Sequence, residues 1–381
     1  MVKRLCYACE GENEIIVKYL VEHGADIHGR DKKGKTTLFY ACKGGNENVI
    51  KYLVEHGVDV RKKDNKDKAP ILYACKNENE KIVKYLVEHG AGINREDCKG
   101  RIPLSIACEK GNEAIVKYLV EHGADINKNY WMGGIPLFYA YTNGNLNIVK
   151  YLIEHWNDIN AEKWMGETPL FCTCRSGNED VVKYLVEHGA NVNKENEYKE
   201  TPLYCACEKG NESLVKYLVE HGADINIEKK YGYTPLNQAC RIGNENIVRY
   251  LVERGADIHK ENKYGDIPIC YACLSGNVNI VKYLIELETN INKENSYNET
   301  LLFNECRNGN ITLVKCLIEQ GADLNKENRR GETPLFKACE AGHETIIKYL
   351  VEHGIDINKE NKCGETPFFK ACQNENEIKI Y

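Results

Sequence analysis

Residues 201–233 read TPLYCACEKGNESLVKYLVEHGADINIEKKYGY, and this stretch of 33 residues decides the fold. The chain of 381 residues repeats it with small changes from end to end. Proline shows the period most clearly, because neighbouring prolines lie 33 residues apart with a single gap of 66. The nine prolines are at positions 70, 103, 136, 169, 202, 235, 268, 334 and 367. Since proline fixes φ and lacks an N–H, its confinement to one register predicts one structural unit copied along the chain.

The sequence of each unit predicts two helices followed by an extended finger. Thr-Pro begins a short first helix, because proline in the first turn loses no hydrogen bond, and Leu, Ala and Cys follow at helical spacing. A Gly-Asn step such as Gly111-Asn112 ends this helix and begins the second. The apolar residues of 115–120 then form one buried stripe, and Gly123 follows where a helix commonly needs a left-handed residue. The polar segment 124–133 predicts a turn-like finger before the next unit.

These features resemble the ankyrin repeat. The match covers the TPL start, the Ala-rich first helix, the Gly at its end, the IV…L run and the GAD[IV]N ending. The resemblance spans essentially the whole chain and implies an all-α repeat solenoid of stacked helix-turn-helix repeats with hairpin-like fingers. We expect a single ankyrin-repeat domain over 1–381, with about eleven full repeats, a first repeat incomplete at its start and a partial repeat at 366–381. The family's usual His after TPL is mostly Phe or Tyr here, so the hydrogen bonds of that His are not carried over.

Composition and motifs exclude several classes of function. The formal net charge is -6, from 51 basic and 57 acidic residues, which gives no overall attraction to nucleic acid or to an anionic membrane. No apolar run has the length of a signal peptide or of a membrane span. P-loop, HExxH, GxSxG and kinase motifs are also missing from the sequence. We therefore expect an intracellular, cytoplasmic monomer that is not an enzyme and binds no cofactor or metal.

Cysteine and histidine follow the repeat. Eleven of the 18 cysteines share the slot after Ala on the buried face of the first helix, where Cys serves as a small apolar residue. The zinc alternative, from Cys6-x-x-Cys9 and Cys270-x-x-Cys273, is disfavoured because the two pairs lie eight repeats apart. Eight histidines share the slot before the position where Gly usually ends the second helix, and a cation there stabilises the helix C-terminus. Both patterns predict a scaffold and not a reactive site.

Positions that vary between units are the predicted binding surface. The finger cluster Tyr130-Trp131-Met132 lies one period before Trp164-Met165, so the two should project side by side. A row of finger tyrosines continues from them: Tyr198, Tyr231, Tyr264 and Tyr297. Exposed aromatic residues and methionine are typical interface anchors. One ring per finger also suits a packing ladder, and this second interpretation stays open.

A second predicted surface is the first-helix position that follows the aromatic residue of TPLF. The resemblance implies that this inner-helix face and the finger tips bind proteins. The tyrosines at this position are Tyr40, Tyr73, Tyr139 and Tyr271. The early fingers are also basic, at 30–35 and 61–68, which either guides an acidic partner segment or forms a solvated charged edge.

The leading hypothesis is a protein–protein interaction scaffold or adaptor that binds a partner protein through its finger tips and concave inner-helix face. The alternative is the substrate-recognition segment of a longer enzyme or of a ubiquitin-ligase-type subunit. The sequence also predicts that the stack is weakest around 286–306. There Glu288 takes a glycine slot, Leu301 the proline slot and Glu305 the slot of the small core Ala.

Overall fold

A computed structural model describes residues 2–11, 13–127, 136–155 and 158–373. These residues form 23 α-helices and no β-strand. The chain divides into two compact units, Met1–Glu197 and Tyr198–Tyr381. A single domain over 1–381 stays a prediction. None of the described helices combines the length and the apolar content that a membrane crossing requires.

The first unit alternates short first helices with second helices, as the repeat predicts. Its first helices are α1 (Val2–Glu10), α3 (Thr37–Gly44), α5 (Pro70–Lys76), α7 (Pro103–Lys110), α9 (Pro136–Asn143) and α11 (Pro169–Ser176). Its second helices are α2 (Glu14–Glu22), α4 (Glu47–Glu55), α6 (Glu80–Glu88), α8 (Glu113–Glu121), α10 (Leu146–Glu154) and α12 (Glu179–Glu187). Each first helix packs against its own second helix, and successive first helices of this unit pack against one another.

The second unit continues the same alternation. Its first helices are α13 (Pro202–Lys209), α15 (Pro235–Ile242), α17 (Pro268–Ser275), α19 (Leu301–Asn308), α21 (Pro334–Ala341) and α23 (Pro367–Gln373). Its second helices are α14 (Glu212–Glu220), α16 (Glu245–Glu253), α18 (Val278–Glu286), α20 (Ile311–Glu319) and α22 (Glu344–Glu352). The described residues therefore confirm the all-α repeat solenoid.

Helix boundaries follow from the local chemistry of the repeat. Helix α7 begins with Pro103 and is followed by Gly111, whose φ of 78° is left-handed. Asn112 then caps α8, because its side-chain oxygen accepts a hydrogen bond from the N–H of Ile115 at 3.0 Å. An N-cap of this kind contributes about 1 kcal/mol. Gly123 follows α8 with a φ of 88°, so the predicted roles of the Gly-Asn step and of Gly123 are confirmed.

The repeated histidines cap the second helices. In α12 the Nδ1 of His188 lies 2.7 Å from the carbonyl oxygen of Tyr184, and the two rings lie 3.9 Å apart between centroids. The same pair of contacts joins His221 to Tyr217 after α14. Because a carbonyl only accepts, Nδ1 carries the hydrogen and donates it. The histidine side chain thus gives a second hydrogen bond to a carbonyl of the last helical turn that also accepts the backbone N–H of the same histidine.

The Ala-Cys pair of the first helix forms the core between repeats. Ala239, Cys240 and their equivalents in most repeats are completely buried, which confirms cysteine as apolar filler. Burial raises the pKa of these thiols, in Cys9 to about 12, so they stay protonated. Glu305 replaces the alanine in α19 and is equally buried, at 1% exposure. Helices α17 and α19 pack less closely than any other successive first helices within a unit, because a glutamate side chain fills the contact.

The glycine slot after α18 also departs from the repeat. Glu288 takes the left-handed backbone of that slot, with a φ of 61°. A residue other than glycine pays about 1–2 kcal/mol for this conformation. The expected left-handed strain at Glu288 is therefore present, and low stability of 286–306 stays a prediction.

Candidate functional site

Most of the described fingers turn around one Asp or Asn side chain. In the finger that contains Asn262, its Oδ1 accepts hydrogen bonds from the backbone N–H of Tyr264 at 2.8 Å and of Asp266 at 3.0 Å. Asn262 is buried, and without it these turn amides would lack partners inside the protein. The same two bonds recur at Asp31, Asp64, Asp97, Asn295, Asn328 and Asn361. Sequence reasoning missed this role, although the Asp or Asn recurs at the 33-residue period.

Main-chain hydrogen bonds join successive finger tips. The carbonyl of Tyr231 accepts from the N–H of Lys263 at 2.9 Å, and the carbonyl of Tyr264 accepts from Ser296 at 3.2 Å. The carbonyls of Met165, Tyr198, Tyr297 and Arg330 accept the equivalent bond from Glu197, Lys230, Arg329 and Lys362. This ladder places the same slot of neighbouring fingers side by side, as the period predicted.

Exposed tyrosines occupy the same position at the tips of four successive fingers, and together they form a row. The exposed fraction is 45% for Tyr198, 46% for Tyr231, 47% for Tyr264 and 65% for Tyr297. The rings of Tyr231 and Tyr264 lie 6.5 Å apart between centroids. Neighbouring rings at this distance contact each other, but roughly half of each ring surface remains open to solvent. The row therefore combines a partial ladder with a free aromatic surface.

Two of the tip residues hold a strained backbone. Met165 has a φ of 70° and Tyr231 a φ of 72°, each followed by a glycine that is also left-handed. In these two fingers Lys163 and Lys229 replace the Asp or Asn that anchors the other turns. The turn then needs two successive left-handed residues, which resembles a type I′ hairpin turn. Strain of this kind often accompanies function.

A groove lies between the tyrosine row and the inner helices of the second unit. Its volume is about 410 Å³, and its walls include Tyr198, Tyr204, Lys229, Tyr231 and Arg241. The ammonium of Lys229 lies 4.3 Å from the ring centre of Tyr204 and 3.3 Å from a carboxylate oxygen of Glu200. Aromatic walls with fixed charges suit a partner that inserts both apolar and polar side chains.

The inner wall of the groove is held by hydrogen bonds. The hydroxyl of Tyr204 donates to Oε1 of Gln238 at 2.9 Å, and Nε of Arg241 donates to the same oxygen at 3.1 Å. Burial raises the pKa of Tyr204, so its hydroxyl keeps the proton that it donates. The groove is thus a preformed surface.

A known protein family has the same repeat. The family model described as ankyrin repeats (3 copies) matches the chain at 4–64, 60–130, 131–196, 193–262, 255–328 and 302–380. The chain belongs to the ankyrin-repeat family. Among curated proteins, none matches this ankyrin-repeat chain. Ankyrin repeats generally mediate protein–protein interaction.

The inner-helix tyrosines of the ankyrin stack differ in accessibility. Tyr40, Tyr73 and Tyr139 are half-buried, and the hydroxyl of Tyr40 donates to Oδ2 of Asp31 at 2.7 Å. Tyr271 was predicted to contact a partner, but it is only 6% exposed. Its hydroxyl accepts a hydrogen bond from the Asn262 side chain at 2.5 Å. Tyr271 therefore supports the finger turn and offers little ring surface to a partner.

The aromatic finger cluster lies partly within the described ankyrin fingers. Trp164 is 75% exposed and Met165 is half-buried. Tyr130, Trp131 and Met132 lie outside the described residues, so the juxtaposition of the two clusters stays a prediction. The exposed indole of Trp164 gives the first unit an aromatic finger tip.

Metal-binding side chains are dispersed in the described part of the ankyrin stack. No three His, Cys, Asp or Glu residues come together there in a group that could hold a metal ion. Cys6 and Cys9 are both buried in α1, and Cys273 is buried in α17. Their positions fit the apolar slot of the repeat.

Proposed function

We propose that this ankyrin-repeat chain is a protein-interaction scaffold that holds a partner protein against its finger tips and the adjoining inner helices. The proposal assigns no catalytic step to the chain. The observation that carries it is the row of exposed tyrosines on the finger tips of the second unit, next to a preformed groove.

Aromatic residues favour binding because they bury a large area with few rotatable bonds. Tyr198, Tyr231, Tyr264 and Tyr297 leave between 45% and 65% of their surface exposed. Main-chain bonds between fingers already fix the backbone beneath each ring. Binding therefore costs less conformational entropy than it would if these rings were on a flexible loop.

Backbone strain at the tips supports the same assignment. Met165 and Tyr231 adopt left-handed φ values in a slot where glycine would be relaxed. A strained side chain at an exposed tip contributes little to the core. A side chain at such a strained position is explained if it contributes to binding, and we assign to it a contact with the partner protein.

Trp164 is the proposed anchor in the first unit, together with Trp131 of the preceding finger. Its indole is the most exposed large aromatic group among the described finger residues. Tryptophan is enriched among the residues that dominate binding energy. We therefore expect the two tryptophans to contribute most of the affinity in this part of the stack.

The experiment uses the full chain as bait, followed by cross-linking and peptide identification to map where captured partners lie. The test variants are Trp131→Ala with Trp164→Ala, and Tyr231→Ala with Tyr264→Ala. The matched control is Tyr217→Ala with Tyr250→Ala, which removes two half-buried tyrosines from second helices of the same unit. We expect the test variants to lose the partner and the control to retain it, with unchanged helix content by circular dichroism.

Cross-links that map only to the second helices would contradict the proposal. So would capture that survives both test variants, because the anchors would then lie elsewhere.

A further inference from the structure

In much of the stack, ion pairs between neighbouring fingers neutralise the charges of the finger side chains. A lysine on one finger pairs with a glutamate 32 residues earlier on the preceding finger, as Lys260 does with Glu228 at 2.7 Å. Further pairs in the same two slots are Lys194–Glu162, Lys293–Glu261, Lys326–Glu294 and Lys359–Glu327. Each cation in this row therefore has a carboxylate of the chain beside it.

The two contacts between the first three fingers, at 26–36, 59–69 and 92–102, break this rule. The first two fingers have Arg30 at the position equivalent to Glu228 and Lys62 at the position equivalent to Lys260, each 198 residues earlier in the sequence. In the next pair of fingers, Lys63 is at the position equivalent to Glu261 and Arg95 is at the position equivalent to Lys293. Both members of each pair are thus basic, and both glutamates are replaced.

These early fingers lie side by side like the later ones. The carbonyl of Lys33 accepts from the N–H of Asn65 at 2.9 Å, and the carbonyl of Lys66 accepts from Cys98 at 3.1 Å. The ladder therefore brings two cations to positions where the other fingers form an ion pair. Like charges on neighbouring fingers repel, and no described carboxylate of the chain replaces the missing glutamates in those slots.

The acids that these fingers do carry are used inside the turns. Asp31 and Asp64 each accept two backbone N–H groups through Oδ1, and their Oδ2 atoms face Tyr40 at 2.7 Å and Tyr73 at 3.5 Å. Asp97 is 4% exposed and bonds to Arg101 at 3.0 Å. These three carboxylates face inward, so they cannot cover the tips.

Other carboxylates on these fingers pair locally. Asp59 lies 3.5 Å from Arg61, Asp67 lies 3.4 Å from Lys63, and Asp26 accepts the backbone N–H of His28 at 2.9 Å. Glu96 on the third finger is half-buried and is the one glutamate that these fingers keep in the slot of Glu228. Seven exposed cations make no side-chain ion pair or hydrogen bond with another described residue: Arg30, Lys32, Lys33, Lys62, Lys66, Arg95 and Lys99. The tips of the first three fingers are therefore a basic stripe on a chain whose formal net charge is -6.

We propose that this basic stripe, on the fingers at 26–36, 59–69 and 92–102, binds an extended acidic segment of the partner protein. The inference rests on the proposed scaffold function and names the chemistry of one part of the partner. Packed helices repeat at about 10 Å. An extended peptide in the polyproline II conformation advances about 3.1 Å per residue with about three residues per turn, so carboxylates at every third residue share one face and match one finger after another.

A nucleic acid fits this surface less well than an acidic peptide does. The stripe occupies only three finger tips, and the rest of the chain carries an excess of acid that repels a polyanion extending beyond them. A short acidic segment ends within the stripe and avoids this repulsion. Nucleic-acid binding is therefore an outcome that would overturn the proposal.

The experiment measures fluorescence anisotropy of a labelled peptide with glutamate at every third residue and Gly and Ser between. The full chain is compared with Lys62→Gln/Arg95→Gln and with the matched control Lys260→Gln/Lys326→Gln, which removes two paired cations from the same slot. We expect at least about a tenfold loss of affinity in the first variant and less than about a threefold change in the control. Raising the ionic strength should weaken binding by the full chain, because exposed charges are screened.

Four results would overturn the proposal. They are absence of peptide binding, equal loss in both variants, equal affinity for a peptide with its glutamates in one block, and tighter binding of oligo-dT than of the peptide. Trp164→Ala separates this proposal from the proposed function. Its expected effect is loss of partner capture with unchanged peptide affinity, so one can fail while the other holds.

Discussion

Glu305→Ala should stabilise the second unit, and the gain should grow with pH. Glu305 lies in α19, in the slot that holds Ala272 one repeat earlier and Ala338 one repeat later. Its side chain is 1% exposed, and its Oε1 atom has no hydrogen-bond partner among the described residues. Burial raises the pKa of this carboxyl from 4.5 to about 7. The ionised form is therefore disfavoured in the folded protein.

The direction of the pH effect follows from this raised pKa. Below about pH 4.5 the carboxyl is neutral in both the folded and the unfolded protein, so no ionic penalty exists. As pH rises from 4.5 to 7 the unfolded chain releases the proton first, and the free energy of unfolding falls. The loss above pH 7 is about 3 kcal/mol, at about 1.4 kcal/mol for each power of ten in proton affinity. Burial also raises the pKa of Cys273 and of Cys306, so these neighbouring thiols stay neutral across this range.

The assay is native-state hydrogen exchange of amides in α17 and α19 at pH 5 and pH 8. It reports local opening, which is needed because repeat arrays do not always unfold in one step. Glu305→Ala should raise the local free energy of opening by about 2 kcal/mol more at pH 8 than at pH 5. Glu305→Gln should remove the same pH dependence while keeping the volume of the side chain.

The exposed Glu319→Gln in α20 serves as the control. An equal gain from Glu305→Ala at both pH values would refute the reasoning, since the carboxyl would then not titrate between them.

Three further outcomes are expected. Tyr231→Gly should be more stable than Tyr231→Ala by about 1–2 kcal/mol in urea denaturation, because only glycine relaxes the left-handed backbone; equal midpoints would contradict the strain. Asn262→Ala should destabilise its finger by about 1–3 kcal/mol, and Asn262→Asp by less, because Asp keeps the acceptor for the turn amides but loses the N–H groups that Asn262 donates to Tyr271 and Asp266; hydrogen exchange of the Tyr264 amide checks this, and equal losses would contradict it. Cys108→Ser should lower the free energy of unfolding by about 1–3 kcal/mol and Cys108→Ala by less, since a hydroxyl in this apolar slot lacks a partner; similar losses for both would argue against it.

Much of the fold could be predicted from sequence because it depends on short-range chemistry. Proline at the start of a first helix, the Gly-Asn step and the glycine after a second helix each act within a few residues. Their recurrence at 33 residues then predicts a stack without any knowledge of distant contacts. Glu288 follows the same logic, because the glycine slot predicts its left-handed backbone.

The candidate site could be predicted only in part. The period predicted that Tyr231 and Tyr264 are neighbours, and their rings lie 6.5 Å apart. It did not predict that Tyr271 is buried, because that depends on Asn262 of the finger, which the fold brings against the inner helix. A slot in the repeat indicates where a side chain begins, whereas its exposure depends on what the neighbouring elements place over it.

By itself, then, the sequence determined the helices, their ends and the order in which repeats stack, since those depend on backbone preferences within each unit. Only the tertiary structure decided which charges are neutralised. Lys260 meets Glu228 through space across 32 residues, whereas Arg30 and Lys62 occupy the same slots with no carboxylate between them. Coulombic energy depends on distance in space and on exposure to water, and neither is fixed until the fingers are packed side by side.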